Sequence, residues 1–319
     1  CVWRRMLLLG AACGAVLLWS LLSGSADIPL RELGEVARGG GDAVARTVVL
    51  DLRLPRVLTA FGVGAVLALA GLLLQALFRN PLADPYVLGV SGGAAVGALL
   101  AMLLGAGALA TQSSAAAGAF LTVTLVWVLG ARGGTHTLLL TGVVIAAACG
   151  AIVQLILSLS TTDQLRGMMF WLAGDLSWGM NPGLGVAAAI VALAGSVLLA
   201  RPLNVLAAGE LRAQSVGLDT RAARLFAVAG CSALASIAVI SAGTIGFVGL
   251  IAPHAARLLL RSSDHRIVAP ASAMLGGLLV ALADLFARTA LEPRQLPVGG
   301  IMALIGAPLF LSLLRRASR

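Results

Sequence analysis

The stretch VLTAFGVGAVLALAGLLLQAL fills residues 57–77, between Arg56 and the pair Phe78-Arg79. It holds 21 residues and no charge. A helix of about 20 apolar residues spans the hydrocarbon core of a bilayer, so this stretch reads as a transmembrane helix. The rest of the chain has the same character. Of the 319 residues, 60% are hydrophobic and 11% charged, against about 45–50% and about 25% in soluble domains. A soluble core cannot absorb that much apolar surface. A bilayer can.

Working outward from 57–77, further apolar segments occupy about 6–22, 87–110, 115–130, 138–160, 183–200, 225–242, 244–260, 267–287 and 298–314. The expected fold class is therefore an all-α polytopic membrane protein of about ten transmembrane helices, with residues 1–319 forming one transmembrane domain. The weakest boundary lies between the seventh and eighth segments, where only Ala242-Gly243-Thr244 intervenes. That turn must reach the surface or be packed inside protein, because bare irregular backbone is not tolerated in lipid. Glycine is abundant, at 39 residues, and small residues let membrane helices approach closely.

Orientation follows from the arginines. With the N-terminus in the cytoplasm and one crossing per segment, 14 arginines and four acids fall inside, and eight arginines and nine acids outside. This obeys the positive-inside rule and puts both termini in the cytoplasm. The N-terminus imitates a secretory signal, with Arg4 and Arg5 before an apolar run and Ser23–Ala26 in the place of a cleavage site. An uncleaved first span is expected, since the remaining chain is equally apolar. The net charge of +9 is spent on orientation, so no nucleic-acid partner is expected. Outside, residues 165–178 look amphipathic, with Met168, Met169, Phe170, Trp171 and Trp178. Such a segment suits the membrane interface.

Several chemistries are excluded or weakened. All 22 basic residues are arginine, and a P-loop needs a lysine to reach the phosphates, so the chain supplies no such ATP site. Cys1, Cys13, Cys149 and Cys231 lack metal-ligand spacing, and His136, His254 and His265 do not cluster. No metal site and no cofactor are expected. Asp284 is the one acid inside a span, whereas ion-coupled transporters place ionisable groups near the midplane. A conduit powered by another protein fits better. The rival enzyme reading rests on Gly89-Val90-Ser91-Gly92, a G-x-S-G match that would make Ser91 the nucleophile of an intramembrane protease, with His254 as base. Against it, Gly89, Gly93 and Gly97 are spaced four apart and make a smooth packing ridge. No catalytic residue is expected.

The cytoplasmic stretch 203–218, between the sixth and seventh segments, is punctuated by Gly209 and Gly217 into two short helix-like pieces. Leu206 and Leu211 can fill a partner's groove, and Glu210 and Arg212 can fix register. An ordinary solvated connector is the alternative.

Leu52-Arg53-Leu54-Pro55-Arg56, just before the opening stretch, and Gln75 through Pro85 after it carry a specific resemblance. So do Leu88–Ala94, Gly246–His254, Asp264-His265-Arg266, Leu296–Gly299 and Gly306-Ala307-Pro308. In this order they resemble the permease family of binding-protein-dependent ABC importers for iron-siderophore, haem and vitamin B12, the FecCD-type or type II importers. The resemblance implies a homodimer with a central path, two cytoplasmic ABC ATPase subunits below it and a periplasmic substrate-binding protein above, in a bacterial cytoplasmic membrane. It makes 203–218 the ATPase-coupling segment, with Leu206, Gly209, Glu210, Leu211, Arg212 and Gly217. It makes Arg53, Arg56 and Arg288 docking residues for acids of the binding protein, with Arg294 an alternative to Arg288. Asp284 stands four residues before Arg288, so an internal ion pair is the competing role there. The fifth segment would line the path, with Thr141, Gln154 and Ser158. The cargo implied is a metal chelate, iron-siderophore or haem first and vitamin B12 next.

Overall fold

The structure is a computed structural model, and it describes residues 2–24, 28–130, 133–176, 182–292 and 294–317. All ten apolar segments fall on helices: α1 (Val2–Leu22), α4 (Leu54–Phe78), α5 (Val90–Leu103), α6 (Ala108–Gly130), α7 (Gly134–Leu159), α9 (Pro182–Leu198), α12 (Thr220–Ala242), α13 (Val248–Leu260), α14 (His265–Thr289) and α15 (Val298–Ala317). Shorter helices lie between them: α2 (Leu30–Ala37), α3 (Ala43–Thr47), α8 (Thr162–Leu172), α10 (Ala200–Ala207) and α11 (Glu210–Ser215). No strand occurs among the described residues. Among the described residues, six apolar helices are long enough to span a bilayer, and α9 with α10 makes a seventh, bent by 67°. α5, α13 and the apolar part of α15 are shorter.

The opening stretch becomes the centre of the bundle. α4 is buried almost without a break from Val57 to Phe78, as expected of a helix that is hydrophobic all round. α14, α12, α9 and α13 surround it. Two glycines set how near they come. A Cβ on Gly64 would stand 2.1 Å from the carbonyl oxygen of Gly276 on α14, and one on Gly71 would stand 2.1 Å from that of Gly249 on α13. Backbones touch at these crossings, so no other residue fits. Gly93, Gly97 and Gly118 pack α5 on α6 in the same way. This accounts for the glycine ridge near Ser91, with Gly89 instead making the left-handed turn (φ 77°) that starts α5.

The shortness of α5 and α13 has one cause. The loop before α5 and the turn before α13 meet inside the protein. Ile245 donates its backbone N–H to the Tyr86 hydroxyl at 3.3 Å, and Gly249 lies against the Pro85 ring. The weak boundary after Ala242 is thus the packed kind. Asp175 N–H donates to the Ala242 carbonyl at 2.9 Å, and Val298 N–H donates to that of Gly174, also at 2.9 Å. The Thr244 hydroxyl donates to the Leu172 carbonyl. Protein groups satisfy this backbone where lipid could not.

α8 overlaps the stretch read as amphipathic. Its Met168 and Trp171 are buried in the protein, and Gln164 at its start donates to the carbonyls of Met102 and Leu103 at 3.3 and 3.1 Å. The helix lies along α5. Only Met169 stays well exposed, and Trp178 lies outside the described residues. The amphipathic pattern was real, but its apolar face meets protein. Outside the bundle, Ile28, Val36, Ala45 and Val49 close a small separate core over α2 and α3.

Candidate functional site: polar clusters at two ends of the bundle

At the end expected to face outward, Arg56 stands at the start of α4 and Asp284 and Arg288 stand near the end of α14. Asp284 is fully buried. Its Oδ1 accepts from Arg56 Nε at 2.9 Å, and its Oδ2 stands 3.0 Å from Arg288 Nε. Arg56 Nη1 also donates to Gln295 Oε1 at 2.9 Å. Arg288 Nη2 donates to the Ser20 hydroxyl at 2.7 Å and to the Ser20 carbonyl at 3.2 Å. One carboxylate thus holds two guanidinium groups, and the group keeps a net positive charge. The internal ion pair that competes with docking at Arg288 is present, and it takes in Arg56 as well.

Arg53 departs from its expected docking role. It is buried at 6% exposure, and its Nη1 donates to the Leu21 and Leu22 carbonyls, both at 2.8 Å. The last carbonyls of a helix have no partner within it, and a cation there is favoured by the helix dipole. Arg53 therefore caps α1. Nothing in the local sequence shows that a carbonyl from 30 residues upstream needs a donor. Arg294 is exposed.

At the opposite end, expected to face the cytoplasm, α10 folds back against α4 and α14. Leu206, expected to fill a partner's groove, is buried at 6% exposure and packs into this chain's own core, as does Leu203. The stripe faces inward because α9 and α10 bend by 67° at Leu199, which the helical spacing alone does not reveal. Leu211, on α11, is 85% exposed, and Arg212 is exposed beside it. Gly209 (φ 125°) and Gly217 (φ 79°) take backbone angles that side chains rarely adopt, which breaks the segment into the two pieces read from the sequence. The Glu210 side chain lies outside what the structure describes.

Two further polar contacts lie behind α10. The Asn204 Oδ1 accepts from the His265 backbone N–H at 3.0 Å and faces His265 Nδ1 at 2.6 Å. Its Nδ2 donates to Asp264 Oδ1 at 2.8 Å. This amide, and next the Arg266 N–H, hold the Asp264 carboxyl below its usual range. Deeper in, Gln75 on α4 donates to the Gly249 carbonyl at 3.0 Å and accepts from Arg257. Asn204, Gln75 and Arg257 were missed as site residues. For Gln75 the available signal was a lone amide in an otherwise apolar span, since such groups are expensive and find partners.

On α7, Gln154 and Ser158 are exposed, on a stripe shared with Leu140, Val143, Val144, Leu155 and Leu159. Thr141 is half-buried. The hydroxyls of Thr141 and Ser158 bond within the helix, to the carbonyls of Thr137 at 2.8 Å and Leu155 at 2.7 Å. α7 packs on α5 and α6, and Gln154 and Ser158 lie on its uncovered face. Ser91 sits half-buried in the first turn of α5, and His254 is buried on α13. Among the described residues, no group of three His, Cys, Asp or Glu is arranged to hold a metal.

Comparison with known proteins gives this arrangement relatives. The FecCD transport family matches residues 12–316. The cobalamin import system permease protein BtuC of Halobacterium salinarum is 42% identical over 283 residues, covering 86% of this chain and 75% of that protein. The ABC transporter permease protein YvrB of Bacillus subtilis, itself uncharacterised, is 40% identical over 296 residues, covering 88% and 82%. A solved inward-facing ABC transporter, assigned to the metal-chelate type, superposes with a TM-score of 0.89 at 30% identity, covering 98% of this chain and 99% of that one.

Proposed function

The chain belongs to the FecCD transport family and is the transmembrane permease subunit of an ABC importer, and from that premise we propose how its parts divide the work. It is a multi-pass protein of the cytoplasmic membrane, and ATP is hydrolysed on separate subunits. The family association therefore brings ATPase and substrate-binding partners and a second permease copy. The protease alternative for Ser91 and His254 falls with it. The proposed stoichiometry is two copies of this chain, two ATPases and one binding protein. Each copy crosses the bilayer ten times, with both termini in the cytoplasm.

The observation that carries the division is the exposed α11, whose Leu211 projects on a chain with no lysine for a P-loop. ATP-driven movement must enter by contact, and Leu211, Arg212 and the Gly209 and Gly217 turns form the surface for it. The net positive outer group, with Arg56 and Arg288 held by Asp284 and Arg294 free to reach outward, suits an acidic docking face. The α7 stripe with Thr141, Gln154 and Ser158 would face the path and the second copy. The cargo proposed is a metal chelate. The cobalamin relatives move vitamin B12 ahead of the iron chelates that the sequence motifs put first.

The test is purification of the importer from its native membrane through a tag on this chain, with uptake of radiolabelled cyanocobalamin, ferric hydroxamate and haem by cells lacking it. The expected result is a co-purifying ATPase and loss of cyanocobalamin uptake. Loss of an iron chelate alone would reassign the cargo. No ATPase and no uptake defect would overturn the reading.

A further inference from the structure

One helix touches both polar clusters. α14 runs 25 residues from His265 to Thr289, about 37 Å at 1.5 Å per residue. At its outer end it carries Asp284 and Arg288, locked to Arg56 of α4 and Ser20 of α1. At its inner end its first backbone N–H is capped from another helix, by Asn204 of α10. The first N–H groups of a helix have no partner within it. Asp264 caps one of them, the Arg266 N–H at 3.0 Å, and Asn204 takes the one before it.

The hydrogen bonds fix the chemistry of this contact. The His265 N–H must donate, so the Asn204 atom facing it is the oxygen, and the Asn204 NH₂ is left to donate to the Asp264 carboxylate. His265 Nδ1, facing the same oxygen, must then carry the proton. Its Nε2 is buried with no hydrogen-bond partner, and the Arg257 guanidinium is an electrostatic neighbour. A second proton there would be buried without a hydrogen-bond partner and beside a cation, which together outweigh the nearby Asp264 carboxylate, so the ring is neutral. The joint is made of directional hydrogen bonds around a neutral ring, so α14 must follow α10 to keep them.

Between its two ends α14 has little freedom. Gly276 meets Gly64 of α4 backbone to backbone, and contacts this close transmit displacement rather than absorb it. We propose that α14 is a strut linking the cytoplasmic coupling segment to the outer arginine cluster, with Asn204 as its inner joint. A movement of α10 driven from the ATPase side would pull the α14 N-terminus by way of Asn204 and reach Asp284 and Arg288. This rests on the importer reading above and adds the route through the permease. Asn204 acts as a positioning residue.

The experiment uses the assembled transporter, purified through a tag on this chain, and needs no knowledge of the cargo. A reporter cysteine replaces Leu291, an exposed residue just past the outer end of α14. Its labelling rate by a membrane-impermeant maleimide is compared without nucleotide and after ATP–vanadate trapping. ATP hydrolysis is measured on the same samples. With Asn204 intact, trapping is expected to change the rate severalfold. In Asn204→Ala, hydrolysis persists and the trapping-dependent change shrinks by about tenfold, in the range of ordinary coupling energies. Asn204→Asp alone, which sets two carboxylates against each other, behaves like Asn204→Ala. The double change Asn204→Asp with Asp264→Asn exchanges donor and acceptor, keeps the contact and restores the change.

A purely structural role would lower assembly and hydrolysis together and leave the ratio alone. Should Asn204→Ala fail to assemble, the double change decides. If it assembles but shows no trapping-dependent change, the strut is wrong. A full trapping-dependent change in assembled Asn204→Ala, or none with Asn204 intact, also overturns it. Absence of any co-purified ATPase overturns the importer reading instead, so the two failures are distinct.

Discussion

The two ends of the bundle solve the same problem differently. The outer cluster puts three full charges, Arg56, Asp284 and Arg288, into nearly complete burial, with Asp284 taking one oxygen to each arginine. The inner contacts behind α10 depend on neutral amides, Asn204 and Gln75, that bridge charged or polar neighbours. A buried ion group is costly to form and more costly to break, because removing one partner strands the other's charge. An amide bridge is weaker and depends on direction. The charged end is therefore built to hold α1, α4 and α14 together as one unit, and the amide end is built to be acted on.

The largest effect should come from breaking the outer group. Asp284→Ala leaves Arg56 and Arg288 facing each other without a counter-ion, and such losses amount to about 3–5 kcal/mol. Thermal unfolding of the purified permease should show a large fall. Replacing all three residues with apolar ones of similar size should recover much of it, since buried ion groups are often dispensable as a set. A small shift for Asp284→Ala would mean that water or lipid headgroups reach the site, and the contrast between the two ends would collapse.

Next comes the inner amide in α4. Gln75→Leu removes the acceptor of Arg257 and leaves the Gly249 carbonyl unpaired. Hydrogen bonds to charged groups contribute about 1.5–3 kcal/mol, so the fall should be clear but smaller than for Asp284→Ala. Gln75→Leu combined with a methionine at Arg257 should be milder than Gln75→Leu alone, because neither partner is then left unmatched. If the double change is worse than the single one, Arg257 has a partner more important than Gln75.

These contacts also mark what the sequence made legible. The helices could be read because spans of about 20 apolar residues stand out against polar loops. Local rules predicted the glycine punctuation of 203–218 and limited the turn after Ala242 to the surface or a packed site. Which way a side chain faces did not. Leu206 and Leu211 look alike in sequence, yet the bend after Leu198 turns one into the core and leaves the other in solvent. Arg53 and Arg56 are three residues apart, yet one caps α1 and the other meets α14. Asn204 and His265 lie 61 residues apart, a separation that no periodicity bridges.

The leucine pair sharpens the inner half of the comparison. Leu211→Ala is expected to weaken retention of the ATPase during purification by more than about 1 kcal/mol if α11 seats in a partner's groove. That is roughly fivefold in affinity, with no change in the unfolding temperature of the permease alone. Leu206→Ala should do the reverse, lowering the permease's own stability by opening a cavity. Equal effects of both on ATPase retention would mean that α10 swings out in the assembled transporter.

The smallest effect is expected at Arg294, and it isolates what burial contributes to the outer end. Arg294 is exposed, while Arg56 and Arg288 are almost covered and already committed to Asp284. An exposed charge pair contributes about 0.2–1 kcal/mol, and a charge at the rim of an interface acts mainly on the association rate. Arg294→Ala should therefore slow docking of the substrate-binding protein slightly, leave its dissociation rate unchanged and flatten the dependence of the association rate on salt. The permease's unfolding temperature should not move. Surface plasmon resonance at two or more salt concentrations separates these rates. A faster dissociation with an unchanged association rate would place Arg294 inside the docking interface rather than at its rim. The free arginine would then be the anchor, and the Asp284 group would serve only to hold α1, α4 and α14 in place beneath it.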